Sequence, residues 1–254
     1  MDPAGLLGIG LGLAVIVGAN VMEGGNPASL MLLPPIILVF GTTILVSLAG
    51  GTIADLKLSL KAARTSLMAT VPPATEVVPT VVELAEKARR EGLLSLEDKL
   101  RDIDDPFLVK GVTMAVDGTD PEELREILES EVYAKRQEIK QSAKFFADAG
   151  GYAPTIGIIG TVMGLVHVLE NLAQPEELGH LIASAFIATL WGVMSANVIW
   201  LPIGNRIKRV GELECTRMEI VVEGVAAIQS GSNPRVIAQK LRALLPGSDD
   251  AEAA

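Results

Sequence analysis

Charged residues are absent from four long stretches of this 254-residue chain: Pro3 to Met22, Gly24 to Ala54, Ala149 to Leu169 and Leu181 to Asn205. They fill what lies between. A helix of about 20 apolar residues crosses a bilayer core, and the run from Ala149 to Leu169 is 21 residues long. The pattern predicts an all-α membrane protein, four transmembrane helices with a helical cytoplasmic domain between the second and third. The expected segments are two N-terminal transmembrane helices (1–54), a cytoplasmic helical domain (55–148), the third and fourth spans (149–205), cytoplasmic C-terminal helices (206–246) and a small, acidic, disordered tail (247–254).

The second run is too long for one perpendicular helix. Asn26, Pro27, Pro34 and Pro35 place its irregular part near one face, with the regular helix from about Ile36 to Ile53. Asp55 to Arg64 is expected to continue as a helix into the cytoplasm until Pro72 and Pro73 break it. A helix from about Thr75 to Glu91 stops at Gly92, a left-handed cap. Ser95 with Asp98 reads as a capping box. Asp105-Pro106 starts a helix that Gly118 ends, and Thr119-Asp120-Pro121-Glu122 starts the longest polar helix, running unbroken past Asp148 into the third run. Beyond Asn205 a helix continues to about Gln229, and after a turn at Gly231 to Pro234 a short amphipathic helix ends near Leu245.

Composition agrees: 49% of residues are hydrophobic, only 4% aromatic, and the mean hydropathy is +0.41. Lys and Arg set the orientation. All 21 fall in two places, 14 between Lys57 and Lys144 and 7 between Arg206 and Arg242. The connections Glu23 to Ser29 and Glu170 to His180 carry none, so these face outward and both termini are cytoplasmic. Met1-Asp2-Pro3 lacks the basic leader of a signal peptide, so the first run reads as a retained span. The formal net charge of −10 argues against nucleic acid.

Enzyme chemistry is missing from the pattern. There is no G-x-S-x-G, no nucleotide-binding glycine loop and no H-E-x-x-H. His167 and His180 have no second ligand at metal spacing, and Cys215 is alone, so neither a metal, a cofactor nor a disulfide is expected. What does recur is small and hydroxylated. Pro154, Gly157, Thr161 and Gly164 share one helix face, and Ser184, Ala188, Gly192 and Ala196 form a stripe in the fourth run, flanked by Thr189 and Ser195. Small residues let transmembrane helices approach closely; Thr161 and Thr189, near the middle of their runs, are placed to line a watery path. A bundle that carries protons or sodium normally holds an ionisable group inside the membrane. No Asp, Glu, Lys or Arg lies in any of the four runs, so in an ion conductor the titrating carboxylate must come from a partner. Pro154 admits two readings: the first turn of a new helix, or a hinge inside a continuous one.

The A-P-T-I-G-I-I-G-T-V-M-G-L segment from Ala153, A-R-R-E-G-L-L-S-L-E in the central block and L-P-I-G-N-R-I at the end of the fourth run resemble the MotA/PomA family of flagellar motor stator subunits, over essentially the whole chain. The A-P-x-x-G-x-x-G-T-V-x-G element alone is shared with ExbB and TolQ. The resemblance implies a stator that turns proton (or sodium) flow into torque. It implies Pro154 and Pro202 as coupling prolines, Thr161 and Thr189 as hydroxyls on the ion path, and Arg89 and Glu97 as the charged pair facing the rotor switch protein FliG. It also implies a ring of copies, a pentamer, around a dimer of MotB, a single-span subunit that supplies the membrane Asp. An ExbB/TolQ-type energiser of an envelope machine and a non-conducting membrane scaffold remain as alternatives.

Overall fold

A computed structural model describes residues 3–68 and 73–245; the expectations at Pro72 and for the 247–254 tail lie outside them. Helices and turns account for all the regular structure among the described residues. In chain order these are α1 (Ala4–Met22), a 3-10 turn (Pro27–Leu30), α2 (Leu33–Ile36), a π-helical segment (Ile37–Gly41), α3 (Thr42–Ala49) and α4 (Ile53–Met68). A 3-10 turn (Ala74–Glu76), α5 (Val77–Glu91), a long 3-10 segment (Leu93–Asp102), α6 (Pro106–Val116) and α7 (Pro121–Glu170) follow. The chain ends with α8 (Pro175–Ser195), a second π segment (Ala196–Trp200), α9 (Leu201–Gln229) and α10 (Pro234–Ala243).

One device starts four of these elements: an Asn or Asp followed by proline. Asn26, Asp105, Asp120 and Asn233 each accept a hydrogen bond from the backbone N–H two residues on, at 2.9–3.0 Å. The proline at the first helical position gives up an N–H that would have no partner there.

Ala4–Met22, Pro121–Glu170 and the continuous rod Pro175–Gln229 are each long and apolar enough to cross a membrane. Leu33–Ala49 joins them when taken with Ile53–Met68, which gives up to four spans. α7 is one unbroken helix of 50 residues, as the sequence predicts.

Three local expectations are corrected. The second span does not continue into the next helix: the chain turns through 118° between Ala49 and Ile53. The reason is a capping box, in which the Thr52 N–H donates to Asp55 Oδ2 (2.8 Å) and the Asp55 N–H donates to Thr52 Oγ1 (3.1 Å), so a new helix begins there. The second span also starts earlier, at Leu33, because Pro34 and Pro35 occupy its first turn rather than its interior. No capping box forms at Ser95. Gly92 leaves α5 with φ +88° and ψ 164°, and the chain re-enters a 3-10 helix at once. Ser95 is therefore already inside a helix, and its hydroxyl donates to the Gly92 carbonyl (2.7 Å).

The chain divides into two compact units, Met1–Thr70 with Ile139–Arg209 and Val71–Glu138 with Val210–Ala254. The first holds the apolar spans. Its core gathers Ala63, Phe146, Ala149, Ala153, Trp200 and Ile207, with Phe40 packed against it. Aromatic rings tie the elements together: Phe40 meets Trp191 (5.6 Å between centroids) and Trp200 (6.0 Å), and Phe146 meets Trp200 (6.4 Å). The Trp191 indole N–H donates to the Leu30 carbonyl (2.7 Å), which fixes the Pro27–Leu30 turn on α8.

The second unit has an aliphatic core of Leu96, Leu108, Leu124, Leu128, Ile220 and Leu241, each fully buried. Around it, α7 and α9 are clamped by the ion pairs Arg125–Glu223, Lys135–Glu214 (3.1 Å) and Arg136–Glu219. Cys215 is buried beside them, and burial pushes its thiol pKa up, so it stays a neutral packing group.

Candidate functional site

α7 and α8 touch backbone to backbone. A Cβ added at Gly157 would stand 2.8 Å from the Ala188 carbonyl oxygen and 3.1 Å from the Gly192 and Thr189 Cα atoms. One added at Gly192 would stand 2.7 Å from the Ala153 carbonyl oxygen, and one at Gly164 2.6 Å from the Ala185 Cβ. The small-residue stripes on the third and fourth spans thus face each other, and only glycine fits at the contact.

Close approach brings Thr161 and Thr189 together. Their hydroxyls hydrogen-bond to each other. Thr161 Oγ1 also reaches the Ala185 carbonyl (3.0 Å) and the Gly157 carbonyl (3.2 Å), and Thr189 Oγ1 reaches the Gly157 carbonyl (3.3 Å). Two hydroxyl protons serve four contacts, while each hydroxyl oxygen has two acceptor lone pairs. Acceptor capacity is left over on a half-buried pair. That surplus suits a cation or a protonated water.

Pro154 lies inside α7, one turn before Gly157, so the helix-start reading does not describe it. It offers no N–H to the Gly150 carbonyl one turn earlier. Gly150 in turn packs on Leu201, its Cβ position only 2.5 Å from the Leu201 side chain. Leu201 is the neighbour of Pro202, which withholds an N–H from Val198 inside the second π segment. There the Leu201 N–H donates to Ala196, five residues back. The two prolines therefore each remove one backbone hydrogen bond from the two long rods, next to the contact of Gly150 with Leu201. In the residue pattern Pro202 was the one signal of the π segment, and proline alone does not distinguish a π segment from a kink.

Arg89 and Glu97 belong to the second unit. Arg89 is in the last turn of α5 and Glu97 in the 3-10 segment after it; both are exposed, and among the described residues neither makes an ion pair. The two elements are tied beside them by Lys99 Nζ and Glu83 Oε1 (2.9 Å), a bond that raises the Lys99 pKa. Buried Leu96 anchors the segment from below. His167 is exposed near the end of α7, and the described residues hold no cluster of three potential metal ligands.

Residues 99–220 match the model of the MotA/TolQ/ExbB proton channel family. Motility protein A of Bacillus subtilis is 37% identical over 98% of this chain and 93% of its own length. The structure of the flagellar MotAB stator complex from the same organism contains a chain with a TM-score of 0.90 and 36% identity, covering 98% of both chains. The structure of C. jejuni MotAB contains one with a TM-score of 0.92 and 29% identity, covering 97% of both.

Proposed function

The chain belongs to the motility protein A family, and from that premise we propose that it is a flagellar motor stator subunit, a wall of an ion channel that converts ion flow into torque. The observation that carries this reading is the Thr161–Thr189 pair, each in an apolar run (149–169 and 181–205) without a single Asp, Glu, Lys or Arg. Such a wall offers oxygen atoms to a passing cation and holds no carboxylate to carry it. The titrating group is the membrane Asp of a MotB-type single-span partner, and the protein is a multi-pass subunit of the inner membrane with both termini cytoplasmic.

In the proposed cycle a proton crosses on the partner's carboxylate, solvated by the two threonine hydroxyls. Neutralising that carboxylate removes its demand for hydrogen-bond donors, and the wall relaxes around it. Pro154 and Pro202 are the flexible points at which the relaxation bends the long helices. The copies form a ring, a pentamer around a MotB dimer, and Arg89 and Glu97 meet the rotor protein FliG. Surface charges of this kind supply steering and register more than affinity. The proton is the proposed coupling ion, in keeping with the family description; the same oxygens would also accept sodium.

The test is genetic. Deleting the gene for this chain should leave flagella assembled and paralysed, and restoring it should restore swimming that stops with an uncoupler and ignores sodium concentration. Normal swimming in the deletion strain would overturn the reading.

A further inference from the structure

α4 has one face that the fold uses and one that it leaves open. Ser59, Ala63 and Ser66 are buried, and the Arg206 Nε–H donates to the Ser66 carbonyl (3.2 Å). On the other side Ile53 and Leu60 are 67% and 54% exposed, and Lys57, Lys61 and Arg64 are exposed beside them. The spacing from 53 through 57, 60, 61 and 64 makes this one stripe, apolar along one edge and basic along the other.

The position of the stripe is fixed by the chain. Only Gly50, Gly51 and Thr52 separate α4 from the end of a span, and such a stretch reaches at most about 14 Å. The 118° turn sets α4 closer to perpendicular to the span than along it. The first turns of α4 therefore lie at headgroup depth. A further contrast concerns charge. The protein has 31 acidic and 21 basic residues, and Lys99, Lys110, Arg125, Lys135, Arg136 and Lys240 all make ion pairs. Lys57, Lys61 and Arg64 make none among the described residues.

We propose that α4 is an in-plane anchor whose Lys57, Lys61 and Arg64 bind the phosphate groups of anionic phospholipids while Ile53 and Leu60 enter the acyl boundary. This rests on the membrane placement proposed above. Basic side chains at the border of an apolar strip extend their stems along the lipid and their charges to the phosphates. Each is worth about fivefold in preference for an anionic surface.

The experiment uses the full chain with its single-span partner, in nanodiscs of equal phosphatidylglycerol and phosphatidylcholine, with retained lipid counted by native mass spectrometry. Wild type should retain phosphatidylglycerol preferentially. Lys57→Gln/Lys61→Gln/Arg64→Gln should lower that preference at least fivefold, whereas Lys57→Arg/Lys61→Arg/Arg64→Lys and Arg235→Gln on α10 should keep it. Unchanged preference in the triple glutamine variant overturns the proposal. So does displacement of the lipid by millimolar inorganic phosphate, or a soluble acidic protein bound to the stripe in lipid-free detergent with no lipid preference in nanodiscs. The lipid count does not depend on ion flux, so it stands or falls separately from the stator reading.

Discussion

Replacing Gly157 by Ala places a methyl group where α7 and α8 meet backbone to backbone. The new Cβ would lie 2.8 Å from the Ala188 carbonyl oxygen and 3.1 Å from two Cα atoms. None of these is a side chain that can swing away. Ordinary contact requires the helices to part by about 0.6 Å. That stretches the 3.0 Å bond from Thr161 to the Ala185 carbonyl to about 3.6 Å, past the range of a hydrogen bond. Overpacking of this kind costs about 1–3 kcal/mol, of which alanine's better helix propensity returns about 1 kcal/mol. The expected net loss is up to about 2 kcal/mol, with reduced proton flux because the threonine pair is displaced. Thermal unfolding of the purified complex and flux in proteoliposomes measure both. Gly179→Ala on α8, where nothing lies within 4 Å of the added Cβ, should leave flux unchanged and should not lower stability. A Gly157→Ala protein as stable and as conductive as wild type would refute the argument.

Pro154→Ala restores an N–H to the Gly150 carbonyl and should stiffen α7 there; the complex should assemble and its partner carboxylate should still bind the ion, but torque should fall sharply, and wild-type torque at normal expression would rule the hinge out. Arg89→Glu or Glu97→Lys should impair torque with membrane assembly intact, and a compensating reversal on the rotor should restore part of it; normal motility in both variants would remove the pair from the mechanism. Hydrogen bonds from Thr52 hold the Asp55 carboxyl below its ordinary pKa. The cap of α4 is thus fully in place above the ordinary value and is lost as pH falls through the lowered one. Circular dichroism during acid titration should therefore show a transition that Asp55→Asn flattens, and an identical titration in the variant would contradict the cap's role.

The segregation of charge carried most of the fold. Four uncharged runs predicted the spans, and Asp105-Pro106 and Asp120-Pro121 marked helix starts to the residue, because each cap is a contact within three residues. The 118° turn was hidden by the apolar run, which extends through Ala54 although the helix ends at Ala49; Thr52 and Asp55 held the signal, at the spacing of a capping box. At the site, the small-residue faces and the threonines were readable because period and residue size alone dictate which faces can meet. The lone-pair surplus at Thr161 and Thr189 and the Gly150–Leu201 contact were not, since both depend on how closely two distant helices approach. The indole bond from Trp191 to Leu30 spans 161 positions of sequence, a separation at which no local pattern speaks.

The central claim is that this chain is an incomplete conductor, a hydroxyl-lined wall whose titrating group belongs to another subunit. Proton flux into liposomes tests it directly, with this chain alone, with its single-span partner, and with a partner whose membrane Asp is replaced by Asn. Only the intact pair should conduct above empty vesicles. Selective proton flux through this chain alone, or undiminished flux with the Asn partner, would contradict the account.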